Sequence, residues 1–345
     1  MRKSARGAPS LSFRPIDLYD VGILRKLLAL IGPIVAFLSR AIWLVSGAWR
    51  STCAEQSTLW GLLWNLNRYV SLLPRSRSFE ITCDVGLGLR MLLDLSRLTD
   101  CFAYAFGIGE NEIRWIALQA CKRDSTILDI GANIGTTTLV FAHLAQEGMV
   151  HAFEPAAGMH KSLLTNVVLN EISNVRIYPF GLGDQPSKGH LEIAMVGNPG
   201  SAFFVEDPAG VETEAELRRL DDVMSDEKRV DLIKLDVEGF EYNVLKGGLN
   251  ILQRDHPVIA FEVNLPALAR YHQSVDSVLA LLESVGYEFF VINHGLFVPY
   301  DPAHYVGIHN VVAVHSQGVW HPSLPQSRKG FPQRSPAAIS TSAER

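Results

Sequence analysis

The segment 126–136, TILDIGANIGT, constrains the fold more than any other part of the chain. Its first five residues are mostly apolar, which is typical of a parallel strand that is buried on both faces. Gly131 and Gly135 then allow the backbone to turn sharply and a ligand to approach it, because glycine has no side chain in the way. Residues 134–145 are predicted to form a helix. The segment therefore predicts a strand, a ligand-binding turn and a helix.

This turn differs from the one that binds dinucleotides. The dinucleotide fingerprint is G-x-G-x-x-G, with a helix N-terminus that faces a pyrophosphate. Here Asn133 replaces the second glycine, and the third glycine is missing. Asp129 precedes the turn, where its negative charge would repel a pyrophosphate but would suit a cationic ligand. The pattern therefore favours S-adenosylmethionine, which carries a sulfonium cation.

The next two predicted strands add further acids. The apolar run 149–153 ends in Glu154 and Pro155. A carboxylate at the end of the second strand holds the ribose diol in nucleotide-binding α/β folds. Asp184 follows the third predicted strand, 175–179, where it could accept a hydrogen bond from the adenine amine or act only as a turn residue.

Five short blocks follow one another through the middle of the chain: DIGANIG (129–135), FEP (153–155), GLGD (181–184), LIKLDVEGFE (232–241) and VLKGG (244–248). Their order and spacing resemble the FkbM family of S-adenosylmethionine-dependent methyltransferases over residues 107–263. The resemblance implies a class I, Rossmann-like α/β fold with a seven-stranded, mostly parallel sheet and helices on both faces. It also implies methyl transfer, usually to a hydroxyl of a sugar or small metabolite, and does not name the acceptor.

Three residues at the predicted ligand-binding rim are candidates for catalysis. Methyl transfer is an in-line displacement, so the enzyme must align donor and acceptor and remove the hydroxyl proton. Asp236, at the end of the predicted strand 231–235, is the first candidate for the base or acceptor anchor, and Glu238 is the second. Both could instead belong to a structural turn in which Glu238 caps the following helix. His294 lies at the same rim, although an isolated loop histidine is commonly incidental.

A metal-dependent variant is a further hypothesis. Asp236, Glu262 and Asn264 would place three oxygen ligands at adjacent strand ends, a set that suits Mg²⁺ and would lower the pKa of the acceptor hydroxyl. The pattern is not diagnostic of a metal, so metal-free transfer stays open. Lys234, inside the strand, is expected to be a structural ion-pair partner.

The predicted donor site has six members: Asp129, Gly131, Asn133, Gly135, Glu154 and Asp184. Two other functions remain as alternatives to the methyltransferase. The first is a membrane-associated binding protein on a degenerate methyltransferase fold, which would not bind S-adenosylmethionine. The second is a nicotinamide-dependent oxidoreductase, against which Asn133 and the missing third glycine count.

The pattern along the chain predicts three regions: an apolar, basic and helical N-terminal extension (1–106), the methyltransferase domain (107–315) and a disordered tail (316–345), which is rich in Ser, Pro, Gln and Ala. Within the domain, strands are predicted at 126–130, 149–153, 175–179, 231–235, 257–263, 287–292 and 309–315, the last antiparallel. Further helices are predicted at 157–170, 241–253 and 266–285. An insertion at 188–223 is expected to form a small hairpin that shapes the acceptor pocket.

The N-terminal extension raises the question of membrane contact. Residues 1–50 contain eight basic residues against two aspartates, and the apolar run 27–49 could span about 35 Å as a helix. Arg40 near its centre costs about 3 kcal/mol in a bilayer, so insertion is marginal. The segment 59–73 has amphipathic spacing with Trp60 and Trp64. A helical cap on the domain is expected, with interfacial membrane contact or a true span as alternatives.

Composition narrows the partners and the compartment. The net charge of −5 argues against a nucleic acid substrate and leaves a small molecule, sugar or glycan as the acceptor. The four cysteines show no C-x-x-C spacing, so neither a zinc site nor a disulfide framework is predicted. We therefore expect a cytoplasmic protein, with peripheral membrane contact through the N-terminal helices as an open addition.

Overall fold

The computed structural model describes residues 80–322, apart from 109–110, 196–197, 207–212, 228, 294, 306 and 319. The described strands, in chain order, are β1 (Glu80–Gly86), β2 (Leu89–Asp94), β3 (Thr126–Ile130), β4 (Met149–Phe153), β5 (Val175–Tyr178), β6 (Gly181–Gly183), β7 (Ser187–Met195), β8 (Asn198–Val205), β9 (Thr213–Arg219), β10 (Leu232–Leu235), β11 (Val258–Val263), β12 (Tyr287–Asn293), β13 (Leu296–Pro299) and β14 (His309–His315). The described α-helices are α1 (Leu98–Phe106), α2 (Asn111–Ala120), α3 (Thr136–Leu144), α4 (Ala157–Leu169), α5 (Leu220–Val223), α6 (Glu241–Gly247), α7 (Leu249–Asp255), α8 (Leu265–Arg270) and α9 (Val275–Glu283). A short 3₁₀ helix covers Pro302–His304.

The central sheet has the strand order β13-β12-β14-β11-β10-β3-β4-β5 in the described residues. Strands β3, β4, β5, β10 and β11 are parallel, whereas β14 runs antiparallel to both β11 and β12. This arrangement confirms the class I α/β fold and the antiparallel last strand. The predicted count of seven is wrong for the described sheet, because β13 in the link after β12 adds an eighth strand at the edge.

The core of the sheet has apolar residues on both faces, as the near-continuous apolar strands predict. Ile127 belongs to one buried cluster, whereas its neighbour Leu128 belongs to the cluster on the other face. Both side chains are fully buried, and each such burial contributes about 1.5–3 kcal/mol to folding. The helices that cover the two faces therefore hold β3 and its following turn firmly in place.

Two of the predicted helices are each broken into a pair. The prediction over 241–253 becomes α6 and α7, which meet at Gly247 and Gly248. A side chain at Gly248 would lie 2.7 Å from Leu220 Cδ2, so the break brings the chain close to α5. The prediction over 266–285 becomes α8 and α9, and Ser274 starts α9 with a capping box to Ser277.

The expected helical extension is wrong for residues 80–94, which form the β1–β2 hairpin. In β2, buried Leu89, Met91 and Leu93 alternate with more exposed residues, which is the period of a strand. The backbone N–H of Leu92 donates to Asn166 Oδ1 of α4 at 2.8 Å, so the hairpin is tied to the methyltransferase fold. Its apolar face shares a buried cluster with Ile134 after the first turn.

The predicted membrane segments, 27–49 and 59–73, lie outside the described residues. Within the part of the chain that the structure describes, no helix is both long and apolar enough to cross a bilayer. At the other end, Trp320 packs edge-to-face on Phe297 with ring centroids 5.1 Å apart. The predicted start of a disordered tail at 316 is therefore wrong, while 323–345 lie outside the described residues.

The insertion between β5 and β10 is larger than the predicted hairpin. Strands β7 and β8 do form an antiparallel pair, but the described residues add β6 and β9 to give the order β6-β9-β7-β8. Strand β9 was missed because its sequence, TEAELRR, is mostly charged. The small sheet packs Leu191, Phe204 and Leu217 together, next to the rim of the central sheet.

Candidate active site

A cavity of about 260 Å³ lies at the carboxyl ends of β3, β4, β10 and β11. Parallel strands of a doubly wound sheet bring their ligand-binding loops together at this edge. The floor of the cavity is formed by the strand ends, and residues 198–204 of the insertion form its roof. Six predicted site residues line it: Gly131, Asn133, Glu154, Asp236, Glu238 and Glu262.

Gly131 brings the first turn against the end of β10. Its φ of 78° is in the left-handed region, and a side chain there would overlap the carbonyl oxygen of Asp236. Glycine is therefore required both for the conformation and for the close approach of the two backbones. Asn133 also has a positive φ, 52°, which asparagine tolerates better than most residues.

Lys234 joins the two sides of the cavity floor from below. Its Nζ donates to the carbonyl oxygen of Gly131 at 2.9 Å, and it lies 3.5 Å from Asp236 Oδ2 and 3.7 Å from Asp129 Oδ1. The side chain is only 4% exposed, so these contacts form away from bulk water. The structure places Lys234 as the ion-pair partner that the sequence led us to expect.

Three members of the predicted donor site do not line the cavity, and two of them, Asp129 and Gly135, lie behind the first turn. Asp129 is fully buried, and its Oδ2 accepts hydrogen bonds from the hydroxyls of Thr137 and Thr138 at 2.9 and 2.6 Å. Gly135 starts α3, where a side chain would lie 2.7 Å from Leu163 Cδ1 of α4. Both residues support the turn from behind and do not face the ligand space.

Glu154 is tied to the backbone on both sides. Its Oε2 accepts from the N–H of Asn133 and its Oε1 from the N–H of Ala156, both at 2.8 Å. Burial raises the pKa of Glu154 to about 7, although these two bonds favour the ionised form. Each carboxylate oxygen can accept a second hydrogen bond, so the group keeps the capacity to bind a diol.

Asn133 presents an amide to the same half of the cavity. Its Oδ1 is buried and has no hydrogen-bond partner among the described residues. A buried polar atom without a partner is costly, and a ligand donor would satisfy it.

Three carboxyl groups crowd the opposite half of the cavity. Burial raises the pKa of Glu238 to about 7, and the nearby charge of Asp236 adds to the effect. The pKa of Glu262 is raised to about 9, again mainly by burial and then by the charges of Asp236, Glu238 and Glu241. This half of the site therefore resists further negative charge.

Glu241 is a site-supporting residue that the sequence interpretation missed. Its Oε1 accepts from the N–H groups of Val237 and Gly239 at 3.1 and 3.3 Å, which closes the turn before α6. The alternative in which Glu238 caps this helix is wrong, because no side chain among the described residues makes a capping hydrogen bond to the N-terminus of α6. The side chain of Glu238 lines the cavity instead. An acid at the first position of a predicted helix was the available signal.

The roof connects the insertion with the N-terminal elements. Thr99 Oγ1 of α1 donates to Asn198 Oδ1 at 3.0 Å, and a side chain at Gly200 would overlap Asn133 Nδ2. Phe203 and Phe204 line the cavity. The sequence predicted that a hairpin in the insertion shapes the acceptor pocket, and both rings belong to that insertion, but Thr99 and residues 198–200 carried no recognisable sequence signal.

Three predicted site residues have other placements. Asp184 pairs with Lys246 Nζ at 2.9 Å, and this hydrogen bond lowers the pKa of the carboxyl group. It does not line the cavity. His294 lies outside the described residues. Asn264 Oδ1 accepts from the N–H of Ala267 at 3.3 Å and thereby caps α8.

The predicted magnesium site is not supported. The oxygen of Asn264 is turned toward a helix N-terminus, and Lys234 lies 3.5 Å from Asp236. No group of three or more His, Cys, Asp or Glu side chains in the described residues is arranged to hold a metal ion.

Comparison with known proteins identifies the family of the chain. The Methyltransferase FkbM domain model matches residues 129–289. "Methyltransferase 1" of Beauveria bassiana is 31% identical over 190 residues, which cover 45% of this chain and 76% of that relative. The chain belongs to the FkbM methyltransferase family. This membership confirms the resemblance that the five sequence blocks indicated.

Two further comparisons are more distant. The hexuronic acid methyltransferase AglP of Haloferax volcanii is 28% identical over 158 residues, which cover 44% of this chain and 61% of that relative. The crystal structure of Methyltransferase FkbM from Methylobacillus flagellatus is 16% identical, with a TM-score of 0.39. The match covers 64% of this chain and 53% of that structure. The fold assignment rests on the strand order given above.

Proposed function

We propose that this FkbM-family methyltransferase transfers a methyl group from S-adenosylmethionine to a hydroxyl group of a sugar, glycan or small metabolite. One observation carries the proposal. A single cavity joins the turn 131–133 and the carboxyl of Glu154 to the carboxyl groups of Asp236 and Glu238. The first set suits a nucleoside donor, and the second set suits the handling of a proton.

The residues of the first set fit S-adenosylmethionine. The buried, unpartnered Oδ1 of Asn133 offers a hydrogen-bond acceptor to the ligand, and Glu154 retains free lone pairs for a ribose diol. Apolar Pro155 and Leu182 line the same cavity and can cover a base. Gly131, Asn133 and Glu154 together form what we call the donor half of the cavity.

The bound cofactor would supply an electrophilic methyl carbon on a sulfonium. The chain must then hold the acceptor hydroxyl in line and take its proton. We assign this role first to Asp236, at the end of β10, and second to Glu238. A carboxyl with a pKa of about 7, as at Glu238, is suited to proton transfer near neutral pH. Asp236, Glu238 and Glu262 form the acceptor half of the cavity.

A sugar hydroxyl is the favoured acceptor within this proposal. The Haloferax volcanii relative is named a hexuronic acid methyltransferase, which supports carbohydrate as the substrate class. Phe203, Phe204 and Phe240 line the cavity, and aromatic rings can cover the apolar face of a sugar. A nucleic acid acceptor is not part of the proposal, since the cavity is acidic.

Transfer of a labelled methyl group tests the proposed reaction. Purified protein would be incubated with methyl-labelled S-adenosylmethionine and a panel of sugars, and the product bond would be identified by NMR. Asp236→Asn is expected to lower kcat by about 10²–10⁴-fold with nearly unchanged affinity for S-adenosylhomocysteine, because it removes only the proton acceptor. The exposed Asp222 provides a matched Asp222→Asn control.

Each opposite result has a separate meaning. Unchanged turnover in Asp236→Asn would remove Asp236 as base or anchor. Transfer to nitrogen or carbon alone would contradict O-methylation. A folded protein that does not bind S-adenosylhomocysteine would instead support a binding protein on a degenerate methyltransferase fold.

A further inference from the structure

We propose that the acceptor half of the cavity admits hydroxyl compounds that are neutral or carry an amine, and that it excludes acceptors that carry a carboxylate. This inference rests on the proposed function, because it names the acceptor class of the same site. It follows from the charges that line the cavity, from the positions of the nearest cations and from the aromatic roof.

Every charged residue in the described lining of the cavity is acidic. Among the described residues that line it, four carry carboxyl groups and none is Lys, Arg or His: Glu154, Asp236, Glu238 and Glu262. The carboxylate of an acidic sugar needs a positively charged or N–H partner when water is removed from it. The described lining offers no basic side chain for that purpose.

Two basic side chains adjoin the cavity, and both contact other groups. Lys234 lies beneath the floor, 4% exposed, and donates to the carbonyl oxygen of Gly131. Arg270 does not line the cavity. Its guanidinium carbon stands 3.8 Å from the centre of the Phe203 ring, and its Nη1 donates to the carbonyl oxygen of Glu238 at 3.1 Å. Arg270 thus braces the turn and the roof from outside.

The carboxyl groups of the lining already limit one another. Burial and mutual repulsion raise the pKa of Glu238 to about 7 and that of Glu262 to about 9. Where the lining carboxyl groups themselves favour the protonated form, the binding of a further carboxylate is unfavourable. A neutral hydroxyl can accept a hydrogen bond from a protonated Glu262, and an ammonium group can pair with Asp236.

The aromatic part of the lining suits the same ligands. The rings of Phe203 and Phe204 in the roof, and that of Phe240 before α6, border the cavity. Aromatic faces pack against the C–H face of a sugar and attract ammonium groups, whereas they give no favourable contact to a carboxylate. The roof and the floor therefore select in the same direction. We expect this chain to differ in acceptor charge from a relative that methylates a hexuronic acid.

A series of three cofactor analogues tests the inference without knowledge of the natural acceptor. In each analogue a nitrogen replaces the sulfur of S-adenosylhomocysteine and carries an arm that extends toward the acceptor half. The arms are 3-hydroxypropyl, 3-aminopropyl and 2-carboxyethyl. Calorimetry at pH 7.5 would measure each Kd, with S-adenosylhomocysteine as the reference.

We expect the carboxyethyl analogue to bind at least tenfold more weakly than the hydroxypropyl analogue, and the aminopropyl analogue to bind as tightly as the hydroxypropyl analogue or more tightly. Glu238→Gln should narrow the difference between the Kd values of the carboxyethyl and hydroxypropyl analogues. Glu147→Gln, at an exposed site, should leave that difference unchanged. Arg270→Gln, which removes the nearby cation, should not narrow it.

Equal or tighter binding of the carboxyethyl analogue would overturn the inference, and loss of that binding in Arg270→Gln would show that Arg270 turns inward to pair with it. Failure of S-adenosylhomocysteine itself to bind the folded protein would overturn the proposed function instead. The reference titration therefore separates the two failures.

Discussion

The donor half and the acceptor half of the cavity hold their carboxyl groups in different ways. In the donor half, the two oxygens of Glu154 accept hydrogen bonds from backbone N–H groups of two different loops. In the acceptor half, Glu238 and Glu262 lie close enough to Asp236 that the charges raise their pKa values further. Directional hydrogen bonds therefore fix the carboxyl group of the donor half, whereas neighbouring charges raise the pKa values of the carboxyl groups in the acceptor half.

This difference teaches how one cavity can serve two ligands. A group fixed by backbone bonds keeps its position before a ligand arrives, which suits the recognition of a constant cofactor. Crowded acids respond to the charge of what enters, which suits selection among acceptors. The two halves meet at Lys234 and Gly131, so substitutions there should damage both.

Lys234→Met is expected to have the largest effect. It removes the buried cation near Asp129 and Asp236 and leaves both carboxyl groups without its charge. We expect the free energy of unfolding, measured with urea, to fall by about 3–5 kcal/mol. Lys246→Met is the control, since its ion pair with Asp184 is on the surface and should matter by less than about 1 kcal/mol. Equal losses in the two variants would refute the role of Lys234.

Gly131→Ala should be the next most damaging. The added methyl group would overlap the carbonyl of Asp236, and φ is 78°, so we expect a loss of about 2–4 kcal/mol. Gly88→Ala is a close control, because Gly88 has a φ of 74° and open space around it. That variant should lose only the conformational part, about 1–2 kcal/mol. Similar urea midpoints for both variants would show that the close approach is unimportant.

Glu262→Gln should change how stability depends on pH. The pKa of Glu262 is raised from 4.5 to about 9 in the folded state, so the wild type releases this proton on unfolding and loses stability as pH rises through that range. Gln has no proton to release. The stability of the variant relative to the wild type should therefore increase by about 2 kcal/mol from pH 7 to pH 9. Urea unfolding at both pH values measures this difference, and a constant difference would contradict the placement of Glu262.

The contact between Thr99 and Asn198 should give the smallest effect. Thr99→Val removes the donor of a single hydrogen bond and should cost about 0.5–1.5 kcal/mol. A double-mutant cycle with Asn198→Ala isolates the pair, since the two losses should add to more than the loss in the double variant. Strict additivity would mean that this bond does not hold α1 to the roof.

Much of the fold could be predicted because its strands are short apolar runs with clear ends. Each of the seven predicted strands matches a strand of the central sheet to within one residue at either end. The β1–β2 hairpin at 80–94 was missed because its strands are short. Strand β9 of the insertion was missed because its sequence is mostly charged. The breaks at Gly248 and before Ser274 depend on tertiary contacts that a helical period does not reveal.

Candidate site residues could be predicted from the sequence where they directly follow a strand. They could not be assigned where a hydrogen-bond or ion-pair partner on another element decides which way the side chain faces. Glu154 and Asp236 follow their strands directly, and both line the cavity. Asp129, inside its strand, and Asp184, in the link after the third predicted strand, were expected at the same rim. Instead, Thr137 and Thr138 donate hydrogen bonds to Asp129, and Lys246 pairs with Asp184. Such partners are distant in sequence or equally plausible as surface residues, so spacing alone could not assign them.

Calorimetric titration with S-adenosylhomocysteine, on the wild type and on two variants, tests the division of the cavity most directly. We expect Glu154→Ala to weaken binding by about 1–3 kcal/mol through lost charge-assisted hydrogen bonds, while Glu262→Ala leaves Kd nearly unchanged. NAD⁺ should not compete, and Mg²⁺ should not alter the result. Unchanged affinity in Glu154→Ala, or an equal loss in both variants, would contradict the account of a donor half and an acceptor half.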